Sequence, residues 1–185
     1  MDTIKTIILV GQGSAGKSTL ALQLKERFES DNQFVALIRM DDIVCEITED
    51  NRFHPYCTDE YLTRIHTATM SEPDYLILDF SNEKHTRKMI YDVIPNQENI
   101  DLYVIELYPM SPEVIVQNQT IREGQEISDE KAERIRSVHK HRKQPHPMEF
   151  VPYRFRSAEY CVLQNQENYY LDVLSILKEG SKYND

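Results

Sequence analysis

Eight residues near the start of the chain constrain its fold more than any other feature. Residues 11–18 read GQGSAGKS and fit the pattern G-x-x-x-x-G-K-[ST] without a mismatch. Three of the chain's five glycines fall inside this pattern. An aliphatic run over residues 3–10 precedes it, and Leu20, Leu24 and Phe28 follow it at helical spacing. The segment therefore predicts a buried strand, a glycine-rich turn and an amphipathic helix, in that order.

Such a turn predicts a phosphate-binding loop (P-loop). Glycines let the backbone wrap closely around phosphate oxygens, so that amide groups and the helix N-terminus stabilise negative charge. We expect Lys17 to reach the β- and γ-phosphates of a bound nucleotide and the Ser18 hydroxyl to ligate Mg²⁺. The residues predicted to bind the nucleotide, which is ATP or another nucleoside triphosphate, are Gly11, Gly13, Ser14, Ala15, Gly16, Lys17, Ser18 and Thr19.

A carboxylate at the end of a later strand is a candidate second magnesium ligand. Asp79 closes the aliphatic sequence YLILD at residues 75–79. Proteins with a P-loop hold Mg²⁺ through such a carboxylate, either directly or through water. The alternative is that Asp79 caps the helix that follows the strand.

Aliphatic runs typical of buried strands alternate with segments of helical spacing along the chain. The predicted strands are at residues 3–10, 34–40, 75–80, 102–108 and 158–163, and the predicted helices at 17–30, 58–70, 83–94, 112–122, 128–143 and 167–178. This alternation indicates an α/β fold of three layers, with a mainly parallel sheet of about five strands between helices. With 185 residues and no visible linker or repeat, the chain is expected to form a single domain, 1–185.

Charge and composition exclude some classes of protein. The chain has 21 basic and 31 acidic residues, a net charge of −10, which argues against nonspecific coating of nucleic acid. No apolar run approaches the roughly 20 residues of a membrane span, so no membrane partner is expected. The three cysteines form no CxxC pair, which favours reduced thiols and a cytoplasmic location.

Further motifs narrow the kind of P-loop protein. The chain lacks an N-K-x-D segment and an L-S-G-G-Q-like segment, which excludes regulatory GTPases and ABC ATPases and leaves a small kinase or a stand-alone NTPase. The second predicted strand ends in Arg39-Met40-Asp41-Asp42, at the sheet edge where the P-loop lies. Asp41 is therefore a candidate general base for an attacking hydroxyl, with Asp42 as the other candidate. The alternative is that these carboxylates cap the following helix.

Arginines after the fourth predicted strand suggest a lid over the transferred phosphate. The predicted helices between residues 111 and 143 carry Arg122, Arg134 and Arg136. Such arginines stabilise charge on the γ-phosphoryl group when a lid closes. The alternative is a solvated, highly charged helix.

Together these segments resemble the polynucleotide 5′-kinase and zeta-toxin-like branch of P-loop kinases. The resemblance covers roughly residues 4–150 and rests on GQGSAGKS, RMDD, LILDFSN with the basic NEKHTRK run, and QNQTIREG. It implies that Lys17 and Ser18 bind ATP phosphates and Mg²⁺, that Asp41 is the general base, and that Arg122 is the lid arginine. Arg87 matches a recurrent arginine of the family after the third strand.

The resulting hypothesis is an ATP- and Mg²⁺-dependent kinase whose acceptor is most simply a 5′-hydroxyl of single-stranded RNA or DNA. Arg136, Lys140 and Lys143 share a helical stripe that is suited to guide such a strand. A kinase for a metabolite, nucleoside or nucleotide sugar is the first alternative. It is favoured by the acidic net charge and by Val44, which stands where family members often carry an arginine for the acceptor phosphate. A nucleotide-dependent switch or binding module without an acceptor is the second alternative.

Overall fold

The aliphatic run before the P-loop forms the centre of the sheet. In this computed structural model, which describes residues 3–80, 84–141, 150 and 152–179, Ile7, Ile8, Leu9 and Val10 are fully buried. Side chains of successive strand residues point to opposite faces, so four apolar residues in a row suit burial on both faces. This strand is accordingly an inner strand of the sheet.

The described residues form one five-stranded sheet in which all neighbouring strands are parallel. The strands are β1 (Ile4–Gly11), β2 (Val35–Arg39), β3 (Tyr75–Asp79), β4 (Ile100–Leu107) and β5 (Ser157–Leu163). Their order across the sheet is β2-β3-β1-β4-β5. Arg39 and Leu9 are both in register with Asp79, so three strands end at one edge. The prediction of a mainly parallel sheet of about five strands is confirmed.

The described part of the chain contains seven α-helices. They are α1 (Lys17–Ser30), α2 (Met40–Ile47), α3 (Pro55–Met70), α4 (Lys84–Val93), α5 (Pro112–Glu123), α6 (Asp129–Lys140) and α7 (Tyr169–Glu179). Helices α5 and α6 form the segment predicted as a lid. None of the described helices is both long enough and apolar enough to pass through a membrane.

Two apolar cores cover the two faces of the sheet. On one face, α1 and α7 pack against β1 through residues such as Leu24 and Val173. On the other face, α2, α3 and α4 contribute residues such as Ile43, Ile65 and Ile90. Because helices cover both faces, the predicted three-layer α/β fold is confirmed.

Several element boundaries differ from the sequence-based prediction, and helix α2 is not among the predicted helices; three of the differences affect segments near the P-loop or the predicted lid. Strand β2 ends at Arg39, and Met40 instead begins α2, because its side chain is buried in the core that α2 and α3 share. Helix α3 begins at Pro55, three residues earlier than expected, since proline fits the first turn of a helix. Helix α6 ends at Lys140 rather than near residue 143.

Candidate active site

The P-loop connects β1 to α1, and its glycines adopt conformations that other residues rarely reach. Gly11 has φ 142°, and a Cβ atom there would lie 2.6 Å from the Leu107 carbonyl oxygen of the neighbouring strand. Gly16 precedes α1 with φ 99°. Both positions therefore require glycine, which fixes the path of the loop around the helix N-terminus.

Lys17 is held against the loop that precedes it. Its Nζ donates hydrogen bonds to the carbonyl oxygens of Gly11 at 3.1 Å and Gln12 at 3.2 Å. Burial lowers the pKa of Lys17, while the negative charges of Asp79 and Asp41 oppose that shift. An ammonium group in this position, with little water around it, is suited to bind phosphate oxygens.

Ser18 and Asp79 provide adjacent oxygen atoms beside the P-loop. The Ser18 hydroxyl donates a hydrogen bond to Asp79 Oδ2 at 2.6 Å. Burial raises the pKa of Asp79, whereas the Ser18 hydrogen bond and the charge of Lys17 oppose this shift. The buried carboxylate is thus in a position where a cation stabilises its charged form.

This oxygen pair fits Mg²⁺ better than a metal that needs a full protein ligand set. Magnesium prefers oxygen ligands and is often held by one or two protein groups together with substrate phosphates. Within the described residues, no group of three or more His, Cys, Asp or Glu side chains is placed to hold a metal. Ser18 and Asp79 are therefore the residues that would hold Mg²⁺ beside a bound nucleotide.

The carboxylate pair that follows β2 lies in the first turn of α2. The N-cap residue of α2 is Arg39, so neither Asp41 nor Asp42 caps this helix, and the alternative of a helix cap is wrong for both residues. Asp42 lies 3.5 Å from Arg39 in an ion pair. Asp41 instead lines the cleft beside the P-loop. The two neighbouring acids therefore have different surroundings, and only Asp41 lines the cleft.

The lid brings one arginine to this carboxylate. Arg122, near the end of α5, places its Nη2 3.7 Å from Asp41 Oδ2, and both side chains are more than half exposed. Arg122 also lines the cleft. The pair joins the lid to the start of α2 across the mouth of the P-loop. The structure thus brings Lys17, Asp41 and Arg122 to one site.

The other predicted basic residues lie elsewhere. Arg136 contacts Glu113 at 3.1 Å and Glu133 at 3.7 Å, and Arg134 is exposed on the same helix without a described ion-pair partner. Lys143 lies outside the described residues. Within the predicted basic stripe, Arg136 is therefore already paired with two glutamates, whereas Lys140 is exposed at the end of α6.

Arg87 is not a surface residue. Only 2% of its surface is exposed, and it lies on α4, which packs on the face of the sheet that α2 and α3 also cover. It does not line the cleft, whereas its neighbour Thr86 does.

Amide side chains join the lid to the P-loop. Asn118 Nδ2 donates to the Ser14 carbonyl oxygen at 3.0 Å, and the Ser14 hydroxyl donates to Gln119 Oε1 at 2.5 Å. Gln12 Nε2 donates to the Ile135 carbonyl oxygen at 3.1 Å, which adds a contact from α6. These bonds hold both lid helices close to the loop that would bind phosphate.

One cleft of about 1570 Å³ is bordered by Lys17, Ser18, Asp41, Asp79 and Arg122. Its loop side consists of the P-loop and of residues just before and within the first turn of α7, namely Gln166, Glu167, Tyr169, Tyr170 and Leu171. Its β2–β3 side consists of residues from α2, α3 and α4 and from the ends of β2 and β3. Because ligand pockets usually measure about 300–1,000 Å³, this volume suits a nucleotide together with a second small ligand.

Several lining residues were not predicted from the sequence. On the β2–β3 side they are Phe53, Thr58, Asp59, His85 and Met89, and just before or within the first turn of α7 they are Gln166, Glu167, Tyr170 and Leu171. No motif marks these residues, because they come from separate segments that meet only after the helices have packed. The sequence indicated only that these segments follow strands whose carboxyl ends lie at the same sheet edge as the P-loop.

Comparisons with known proteins identify the fold. No protein-family model matches the chain, and no curated protein matches its sequence. Among solved structures, shikimate kinase from Acinetobacter baumannii in complex with shikimate is 16% identical with a TM-score of 0.54, and the match covers 97% of this chain and 96% of that one.

Two further solved structures are similar over nearly their whole length. A gluconokinase from Sinorhizobium meliloti 1021 is 13% identical with a TM-score of 0.55, covering 100% of this chain and 99% of that one. A sugar kinase from Janibacter is 14% identical with a TM-score of 0.58 and 95% coverage of both chains. The chain therefore has the three-layer α/β fold of P-loop kinase structures.

Proposed function

We propose that this chain is an ATP- and Mg²⁺-dependent kinase that transfers the γ-phosphoryl group to a hydroxyl of a small molecule. The observation that carries the proposal is the position of Asp41, exposed in the cleft beside the P-loop and 3.7 Å from the lid residue Arg122. Nucleotide binding alone needs no such acid, whereas transfer to an alcohol needs a group that accepts its proton.

Each residue has a distinct role in the proposed reaction. Lys17 and the loop amides bind the donor phosphates, and Ser18 and Asp79 hold Mg²⁺, which neutralises phosphate charge when bound. Asp41 accepts the proton of the acceptor hydroxyl as its oxygen bonds to the γ-phosphorus. The bond from that phosphorus to the β–γ bridging oxygen breaks, and ADP leaves. Arg122 stabilises the charge on the transferred group.

A small acceptor explains the site better than a polynucleotide. The structures named above are a shikimate kinase, a gluconokinase and a sugar kinase, so the polynucleotide branch expected from the sequence gains no support from them. A nucleic-acid strand also needs several free cations along its path. Arg136, the first residue of the predicted stripe, is instead bound to Glu113 and Glu133.

The test is transfer of labelled phosphate from γ-labelled ATP to a panel of possible acceptors. The panel contains 5′-hydroxyl RNA, 5′-hydroxyl DNA, nucleosides and sugars. We expect label in a small molecule and none in the oligonucleotides. Preferred labelling of an oligonucleotide would support polynucleotide 5′-kinase activity instead. ATP hydrolysis without a labelled acceptor would indicate a nucleotide-dependent switch or an NTPase.

A further inference from the structure

We propose that the acceptor is a hydroxylated ring compound with no negative charge, either neutral or amine-bearing. This inference rests on the proposed kinase function and specifies its substrate class. It comes from the β2–β3 side of the cleft, where an acceptor within reach of Asp41 would lie. Three observations on that side support it: the arginines are paired with carboxylates, one aspartate has no ion-pair partner, and an aromatic ring is exposed.

The cations on this side are already bound by carboxylates. Arg39 lies 3.5 Å from Asp42 and 3.9 Å from Asp79, and its side chain is only 20% exposed. Arg122, which reaches over from the lid, pairs with Asp41. Among the described lining residues of the β2–β3 side, no Lys or Arg is left for an acceptor phosphate or carboxylate.

One acid on this side has no counter-charge. Asp59 is exposed in the second turn of α3 and lines the cleft, and no described residue forms an ion pair with its carboxylate. Together with the phosphates of a bound donor, its unpaired charge makes the acceptor position negative. A negative site repels an anionic acceptor, attracts an ammonium group and accepts hydrogen bonds from hydroxyls.

Apolar and aromatic side chains line the cleft on the same side as Asp59. Phe53 lines it with 55% of its surface exposed, and Pro55 and Met89 are further lining residues. A cleft side that presents both an exposed ring and a carboxylate suits a compact ring compound, whose C–H face packs on the aromatic ring and whose hydroxyl groups donate to the carboxylate. Thr58 also lines this side of the cleft.

The experiment compares acceptors that differ mainly in charge. One set is D-glucose, D-glucosamine and D-glucuronate; the other is adenosine, 3′-amino-3′-deoxyadenosine and adenosine 3′-monophosphate. Transfer from γ-labelled ATP gives kcat/KM for each. We expect a neutral or amine-bearing member to exceed the anionic member of its set by at least tenfold, because placing like charges together is strongly unfavourable.

Two substitutions test whether Asp59 is the source of the charge selectivity. Asp59→Asn should raise KM for the amine-bearing acceptor about two- to fivefold, the scale of an exposed ion pair, raise KM for the neutral acceptor by a smaller factor, and leave KM for ATP unchanged. Glu60→Gln is the matched control, because Glu60 is the next acid on α3 and pairs with Arg64 rather than lining the cleft.

The possible failures are distinguishable. If an anionic member is the best acceptor of its set, the inference is wrong while the kinase proposal stands. If Asp59→Asn and Glu60→Gln have equal effects, Asp59 does not select the acceptor and the inference is also wrong. If Lys17-dependent ATP hydrolysis yields no labelled acceptor in either set, the result counts against the kinase proposal itself.

Discussion

The loop side of the cleft is shaped by backbone, whereas the β2–β3 side presents side chains from three helices. On the loop side, Gly11 and Gly16 set the path of the chain and Lys17 bonds to loop carbonyls. On the β2–β3 side, Asp41, Asp59 and other residues come from separate segments. Backbone amides of the P-loop bind the phosphates of any nucleoside triphosphate, whereas the side chains of the β2–β3 side determine which acceptor fits.

Loss of the loop lysine should have the largest effect of any single change. Lys17→Ala removes a positioned positive charge, so phosphotransfer should fall about 10²–10³-fold with every acceptor. Steady-state kinetics with γ-labelled ATP measure the loss. Lys25→Ala, a surface lysine on α1 paired with Glu29, is the control and should keep wild-type activity. Activity within threefold of wild type in Lys17→Ala would rule out the P-loop assignment.

The lid arginine should matter next. Arg122→Gln is expected to lower kcat by about 10²-fold, below the range found for other arginines that stabilise a transferred phosphoryl group. Arg134→Gln and Arg136→Gln are matched controls on α6 and should remain within twofold of wild type. If either control loses more activity than Arg122→Gln, a different lid arginine stabilises the transferred group.

Asp79→Asn should weaken Mg²⁺ binding and, at the same time, stabilise the nucleotide-free fold. The Mg²⁺ concentration needed for half-maximal activity should rise about tenfold, which is the usual scale for the loss of a residue that supports a metal site. Because burial raises the folded-state pKa of Asp79, its ionised form costs stability at neutral pH, and this cost disappears as pH falls through that pKa. The nucleotide-free variant should therefore have a higher Tm than wild type at neutral pH.

Thermal unfolding at a series of pH values checks this sign. The Tm advantage of Asp79→Asn should shrink as the wild-type carboxyl becomes protonated. A variant with a lower Tm than wild type at neutral pH would show that Asp79 stabilises the nucleotide-free fold.

The contacts between lid and loop should give the smallest effect. Asn118→Ala removes one hydrogen bond to the Ser14 carbonyl oxygen, a net loss of about 1 kcal/mol. KM for ATP should change about fivefold or less, with little change in acceptor KM. Gln117→Ala, at an exposed neighbouring position on α5, is the control for loss of an amide. Equal effects of the two variants would mean that the Asn118 contact does not contribute.

The difference between the two sides of the cleft also explains which parts of the site could be predicted from the sequence. The strand, loop and helix around Lys17 were predicted because their signals are local: an aliphatic run, spaced glycines and helical periodicity. Asp41 was selected because parallel strands end at one edge. Met40 was assigned to β2 because its apolar side chain suits a strand and a helix equally well.

The acceptor side left no comparable signal. Phe53, Thr58 and Asp59 reach the cleft only because Tyr61 and Ile65 of α3 are buried against the sheet and so orient the helix. Such tertiary placement has no fixed spacing in the sequence. The polynucleotide hypothesis depended on basic residues in α6, and the sequence did not reveal that Glu113 of α5 binds Arg136.

The most direct test of the account measures ATP·Mg²⁺ binding and phosphotransfer in Asp41→Asn and Asp42→Asn side by side. We predict that Asp41→Asn keeps its Kd for ATP·Mg²⁺ within about twofold of wild type while kcat falls roughly 10²-fold, the scale of a lost general base. Asp42→Asn, which loses only the contact with Arg39, should retain both values. Full activity in Asp41→Asn, or a greater loss in Asp42→Asn, would contradict the account.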